Sequence, residues 1–544
     1  MGHRPILYLQ HAGQPDLGLT YDDVLRRASA FARALESGGI RPGEVVVVIL
    51  QHGADLIAAF LGAILGGAVP AIMPFLTEKL LPERYRAELR SLVAVSRPAA
   101  IITYDAFRSE VERALTAESS VRSLLVAESV ISEDSVWWTE LGGQQRAAAD
   151  VVVLQHSSGT TGLQKGVALS HQAVFNQLAA YGGAIEISPS DVIVSWLPLY
   201  HDMGLIAGFL MPLLTGVPLV LLSPFDWVRA PHRLMHAVTA YRGTLSWLPN
   251  FAFNFCAQKI RPGQLEGTDL SSWRAVINCS EPVRAESHEA FERAFEPWGL
   301  RRGALQTCYA MAENVFAVTQ SSMGIAPKVV TVDRRSFADE GLVRPPDDAA
   351  TATRVMSSGR ALPNATLRVV DEKRRELSDR CVGELAIRSD CLLTEYFRRP
   401  DATSAALRDG WLLTGDLGFV SEGEVFVTGR KKDVIIVGGK NIYSQDIEAL
   451  ATEVRGTHPG RVVAFGVFSE EQGTEEVVVV AEAEAEGDVE KGKLADRIRR
   501  HVTQNSDVSL RHVEIVPPRW IIKTSSGKAA RGATREKYLG TVGS

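Results

Sequence analysis

Cysteine is scarce in this 544-residue chain: Cys256, Cys279, Cys308, Cys381 and Cys391 are odd in number and lack paired metal-ligand spacing. A disulfide scaffold and a cysteine metal knot are excluded, and a reducing compartment is the simplest setting. An unbroken apolar run of membrane length is also missing. Leu56 to Phe75 is long enough to raise the question, but Gly62, Gly66, Gly67, Pro70 and Pro74 interrupt it, so a buried helix running into a core strand is expected and no membrane span. The stretch Met1-Gly2-His3-Arg4-Pro5 has no basic region leading into an apolar core, which argues for a cytoplasmic rather than a secreted protein. A net charge of −6 gives no broad electrostatic reason to bind nucleic acid, and no repeat or low-complexity tract interrupts the chain.

The length exceeds what one hydrophobic core usually supports, so at least two domains are expected. Val24, Ala28, Ala32 and Leu35 recur about every four residues after Leu19-Thr20-Tyr21, and Gly38-Gly39 ends that helix. Apolar strand runs follow at Val45–Leu50, Ala99–Ile102, Leu124–Val126 and Val151–Leu154, alternating with helical stretches, which predicts a largely parallel α/β sheet. The alternation continues from Asp191 to Phe316. Residues 321–356 break it and look inserted. From Thr366 shorter strands predict a smaller β-rich subdomain, and beyond Arg430 three strands with helices predict a compact α+β unit. Its Ala481–Glu486 stretch, alternating Ala and Glu, is expected to be an edge strand with one solvated face.

Chemistry concentrates after the run Val151–Leu154. Ser157, Ser158, Gly159, Thr160, Thr161, Gly162 and Lys165 combine hydroxyls, backbone-exposing glycines and a cation, which suits a phosphate cradle, although a polar turn would carry the same residue types. The spacing is not that of a Walker loop, because Lys165 lies between Gln164 and Gly166. Five further segments stand at strand or loop boundaries. Ser280-Glu281-Pro282 follows the strand run Ala275–Asn278, and Tyr309-Ala310-Met311-Ala312-Glu313 sets an aromatic face four residues from a carboxylate. Leu412-Leu413-Thr414-Gly415-Asp416 is expected to end a strand in an acid, a position that suits ribose hydroxyls. Gly429-Arg430-Lys431-Lys432-Asp433 is a compact charged turn, and Lys523-Thr524-Ser525-Ser526-Gly527-Lys528 carries a lysine on a loop of small residues.

In this order the segments resemble the adenylate-forming (ANL) superfamily of acyl-CoA synthetases, luciferases and nonribosomal-peptide adenylation domains. Within it the chain is most similar to fatty acyl-AMP ligases, through Trp196 to Leu205, Leu248 to Phe253, Trp273 to Arg284 and Asn441 to Glu448. The resemblance covers the chain from Leu19 to Lys528. It implies an N-terminal AMP-binding domain over 1–430, with the branch-specific insertion near 321–356, and a mobile C-terminal lid over 431–544. The implied reaction is ATP- and Mg²⁺-dependent activation of a fatty or other apolar acid as acyl-AMP. The acyl group then passes to a pantetheine thiol, that of a separate acyl carrier protein or, alternatively, of CoA.

The resemblance also implies roles. Ser157 to Gly162 and Lys165 would hold the β- and γ-phosphates, with Glu313 and Thr160 at Mg²⁺. Tyr309, Ala310 and Met311 would face adenine opposite Ser280, Glu281 and Pro282, while Asp416 and Arg430 take the ribose. Lys528 would be catalytic, Lys432 the hinge, and Gly438 and Gly439 the loop of the thiol step. His201, Leu205, Phe209, Trp247 and Phe251 are expected at the acyl pocket, His201 as a gate or packing residue. Three positions depart from the family pattern: Ala310 stands in place of a glycine, His156 of an aromatic residue and Ile522 of a proline. Replacing Lys528 by Ala is expected to abolish acid-dependent pyrophosphate exchange while ATP still binds, a barrier increase on the order of 3–4 kcal/mol read from exchange rates and ATP titration.

Overall fold

The protein was analysed as a computed structural model, which describes residues 4–76, 82–130, 140–156, 165–437, 440–458, 460–470, 472, 474–485, 487–506, 508–524 and 528–542. The first helix, Tyr21–Ser37, shows how locally the sequence acts. Asp23 N–H donates to the Thr20 hydroxyl (3.2 Å), and Thr20 N–H donates back to Asp23 Oδ2 (3.0 Å). This reciprocal cap contributes about 1 kcal/mol. Val24, Ala28, Ala32 and Leu35 fall on the buried face, and the chain leaves at Gly38. The helix packs on Ala54–Leu65, where only a glycine allows the approach: a Cβ at Gly62 would lie 2.4 Å from the Ala28 carbonyl oxygen.

Two parallel sheets form the main body. One has four strands in the order Val69–Ile72, Val45–Val48, Ala100–Thr103 and Ser123–Val126. The other has nine. Its six central strands run parallel in the order Leu305–Ala310, Ala275–Asn278, Leu245–Leu248, Ile193–Ser195, Leu219–Leu222 and Leu7–Gln10, with antiparallel strands at both edges. Because these six share a direction, the segments after Ser195, Leu248, Asn278 and Ala310 emerge along one edge, where ligands of open α/β sheets bind. A five-stranded antiparallel sheet built on Trp411–Ser421 supplies the β-rich subdomain. Beyond Arg430, Val462–Ser469, Thr474–Glu482 and Leu510–Val516 form a three-stranded sheet whose apolar cluster draws only on residues from Ile435 onward.

Three local expectations are corrected. Val151–Leu154 belongs to neither parallel sheet: Val151–His156 pairs antiparallel with Gly166–Ser170, so the cradle stretch connects the two arms of a hairpin. An apolar run specifies burial but not its partner strand. Ala481 and Glu482 end the central strand of the C-terminal sheet, not an edge. Glu482 is buried there because its carboxylate accepts the Ile521 N–H at 2.8 Å. Asp416 lies inside the strand Trp411–Ser421, opposite Arg430, because the partner strand Glu424–Arg430 continues the ladder past it.

The stretch expected to be an insertion contains a hairpin, Val329–Asp333 against Ala352–Met356. Val332, Phe337 and Val343 cluster with Phe419 and Phe426 of the five-stranded sheet and with Tyr443 of the C-terminal part. The chain rejoins the large sheet at Gly359, whose φ of +93° suits glycine, and a Cβ there would fall 2.1 Å from the Gln320 carbonyl carbon. Gly359→Ala is expected to cost at least about 2 kcal/mol, seen as a lowered midpoint of urea unfolding with unchanged slope.

Candidate active site

The turn after Asn278 is held from beneath by a buried amide network. Asn278 Nδ2 donates to Asn250 Oδ1 (3.0 Å) and stands 3.1 Å from His288 Nε2, while Asn250 Oδ1 also accepts the Arg284 N–H (3.2 Å). Ser280 takes a positive φ of 67° and presents a backbone carbonyl. That carbonyl accepts a hydrogen bond from the Lys528 ammonium, so a lysine 248 positions away closes over the strand ends. Glu281 turns back and accepts the Phe251 N–H (2.9 Å), which caps the helix Asn250–Lys259.

A second group comes from the neighbouring strand and the β-rich sheet. The Tyr309 hydroxyl donates to Asp416 Oδ2 (2.6 Å), and Arg430 Nε lies 3.4 Å from Asp416 Oδ1. Burial pushes the Asp416 carboxyl above the usual carboxylate range, against the opposing pull of Arg430 and of the tyrosine bond. Burial likewise raises Glu313. Its Oε1 accepts the Tyr396 hydroxyl (2.9 Å), and Lys165 Nζ sits 4.6 Å above the Tyr396 ring centroid. Tyr396 therefore links the end of the cradle to the carboxylate, a residue that sequence reasoning missed because its dipeptide strand Glu395–Tyr396 carries no motif. Ala310 ends the strand beside Tyr309, and Met311 Sδ lies 3.9 Å from the Tyr309 hydroxyl.

The third group follows Ser195. His201 Nδ1 lies 2.6 Å from Asp202 Oδ1, and Met203–Leu210 is a π-helix that is buried throughout, Leu205 and Phe209 included. The expected helical spacing thus gives way to a wider turn. Gly204 and Gly208 permit it, since a Cβ at either would press on the Pro198 carbonyl or the Ser195 hydroxyl. Asp202, which the motif reading passed over, is buried. Burial raises its carboxyl, but His201, the Met203 N–H and the more distant Lys528 outweigh that and hold it below the usual carboxylate range. Trp247 is sealed in the core with its Nε1 on the Tyr181 hydroxyl (2.8 Å), whereas Phe251 is partly exposed and edge-on to the stacked Trp196 and Trp227. His156 is half-buried, but both its ring nitrogens are sealed from solvent and lack partners among the described residues, and desolvation drops it to about 4. Ser157, Ser158, Gly159, Thr160, Thr161, Gly162, Gly438 and Gly439 lie outside the described residues.

Residues 4–397 match the family model described as AMP-binding enzyme. This chain belongs to the AMP-binding family. Such enzymes form acyl adenylates from ATP. The long-chain-fatty-acid–AMP ligase FadD26 of Mycobacterium marinum is 33% identical over 96% of this chain and 91% of its own. The medium-chain-fatty-acid–[acyl-carrier-protein] ligase JamA of Moorena producens is 29% identical over 98% of this chain and 92% of its own. A solved structure from work on fatty acyl-adenylate ligases of E. coli and L. pneumophila superimposes with a TM-score of 0.91 at 28% identity, covering 99% of this chain and 96% of that one.

Replacing Tyr309 by Phe removes the donor to a buried carboxylate, at a cost of about 1–3 kcal/mol at neutral pH. The hydrogen bond stabilises the charged form of a carboxyl already raised by burial. The deficit should therefore shrink as pH falls through the folded pKa and protonation removes the charge. Urea unfolding at neutral and at acidic pH measures the difference.

Proposed function

We propose that this AMP-binding enzyme activates a fatty or other apolar carboxylic acid as acyl-AMP, releasing pyrophosphate, and passes the acyl group to the phosphopantetheine thiol of an acyl carrier protein. The observation that carries the reading is the Lys528 ammonium, brought across from the C-terminal part onto the Ser280 carbonyl. In-line attack of a carboxylate on a phosphate brings two anions together, so preorganised positive charge lowers the barrier most. Lys528 supplies it. Ser157 to Gly162 and Lys165 hold the leaving pyrophosphate, Asp416 and Arg430 the ribose, and Tyr309, Ala310 and Met311 the adenine opposite Ser280, Glu281 and Pro282.

Glu313 fits Mg²⁺. Its carboxylate is half-buried, is raised by desolvation and makes no ion pair among the described residues, so a divalent cation would offset its charge. Mg²⁺ commonly takes one or two protein carboxylates together with substrate phosphates, and Thr160 would add a hydroxyl. Leu205 and Phe209 with His201, Trp247 and Phe251 form the acyl side. Lys432, at the start of the turn that leaves the β-rich sheet, is the hinge, and Gly438 with Gly439 approaches the pantetheine. The division into 1–430 and 431–544 follows that hinge, and the separate apolar cluster from Ile435 onward supports it.

The names of the relatives FadD26 and JamA, a fatty-acid–AMP ligase and a carrier-protein ligase, support fatty acid as substrate and a carrier thiol as acceptor. The test incubates the enzyme with ATP, Mg²⁺, a panel of acids and either CoA or phosphopantetheinylated carrier, and reads products by mass. Acyl-AMP and carrier thioester are expected. Rapid CoA thioester formation overturns the acceptor assignment, and absence of any acyl-AMP overturns the reaction.

A further inference from the structure

The two half-reactions differ in their need for a base. A carboxylic acid is already ionised at neutral pH, but a thiol with an ordinary pKa of about 8.5 keeps its proton and is a poor nucleophile until it loses it. Lys528, Asp416 and Arg430 handle charge in the first step; the lysine and the arginine are cations, and both oxygens of Asp416 are engaged by Tyr309 and Arg430.

His201 can accept that proton. A nitrogen 2.6 Å from a carboxylate oxygen shares a hydrogen with it, so the imidazole hydrogen sits on Nδ1 toward Asp202 and Nε2 keeps its lone pair. The Met203 N–H stands 3.3 Å from His201 Nδ1 but 2.8 Å from Asp202 Oδ1, and the nearer, charged acceptor takes it. Nε2 has no hydrogen-bond partner among the described residues. Unlike the ring nitrogens of His156, it is not sealed from solvent. The pair also adjoins the reacting centre. Met203 Sδ packs 3.0 Å from Cys279 Sγ, and the next residue, Ser280, presents its carbonyl to Lys528.

We propose that His201 Nε2 is the base that takes the proton of the incoming thiol, with Asp202 as the positioning residue that fixes its tautomer and shares the resulting charge. This rests on the acyl-transfer reading above. In the step, the thiol proton moves to Nε2 and the sulfur electron pair forms the C–S bond to the acyl carbon. The bond from that carbon to the AMP phosphate oxygen breaks with its electron pair on AMP, and the imidazolium later gives its proton to solvent. Besides the two residues themselves, the charged and titratable groups that bear on the pair are Lys528 from the C-terminal loop, Glu313 beyond the strand Leu305–Ala310, and the buried thiols Cys279 and Cys308. Lys528 favours the ionised Asp202 carboxylate while it is in place for adenylation. Its withdrawal with a turning C-terminal domain would let the imidazole hold the proton when the thiol arrives.

The test is single-turnover transfer from supplied acyl-AMP to phosphopantetheinylated carrier, which leaves adenylation out, followed from about pH 6 to about pH 9.5 across the imidazole and thiol ranges. Wild-type rates should rise through the imidazole range and level off below the thiol pKa. His201→Gln should lose on the order of 10²–10³-fold at neutral pH, with a log rate that climbs in step with pH until the gap closes near the thiol pKa. A fluorinated alkanethiol of lower pKa should restore His201→Gln more than wild type, and Asp202→Asn should lie between the two. A gate or packing role predicts a deficit constant across pH and untouched by thiol acidity, and that result overturns the proposal, as does an unchanged rate. Wild-type enzyme that gives no carrier thioester at any pH overturns the transfer reading itself.

Discussion

Three carboxylates, Asp202, Glu313 and Asp416, stand around one site, Asp202 and Asp416 buried and Glu313 half-buried, and desolvation weighs on each of them. Burying a carboxylate costs several kcal/mol unless donors or opposite charge meet it. Asp416 draws on Arg430 and the Tyr309 hydroxyl, and Asp202 on His201 and, at longer range, Lys528. Glu313 has a single tyrosine hydroxyl and no ion pair among the described residues. Of the three, Glu313 is the one whose charge the described residues offset least.

The same electrostatics ties the C-terminal part to the reaction. Lys528 bonds a backbone carbonyl of the large sheet, and Arg284 on the N-terminal side pairs with Asp446 and donates to the Gln445 carbonyl. Phe337 packs against Tyr443, and Arg334 donates to the Asn505 carbonyl. Apart from the Phe337–Tyr443 ring contact, these are polar links at partly open positions, each worth little. The C-terminal part keeps its own apolar cluster from Ile435 to Ile515, apart from these links.

Much was legible because it was local. Val24, Ala28, Ala32 and Leu35 predicted a buried helix face, the valines at 45–48 a buried strand, and Thr20 with Asp23 formed the cap such a start requires. The motif residues Ser280, Tyr309, Asp416, Arg430 and Lys528, up to 248 positions apart, were read as one constellation, and the fold brings them to one side of the large sheet. Tyr396 escaped because a two-residue strand has no pattern. Asp202 escaped because a buried carboxylate beside a histidine looks the same in sequence whether or not the two are bonded.

By itself the sequence determined many of the helices and strands, such as Tyr21–Ser37 and Val45–Val48, and which residue types suit nucleotide chemistry, since periodicity and side-chain chemistry are properties of neighbouring residues. Only the tertiary structure decided that Val151–His156 pairs into a hairpin, that Glu482 is buried under Ile521, and that the His201 ring turns Nδ1 to Asp202 and leaves Nε2 open. Strand partners, burial of a charge and the tautomer of a ring depend on what the rest of the chain places alongside, and no run of adjacent residues records that.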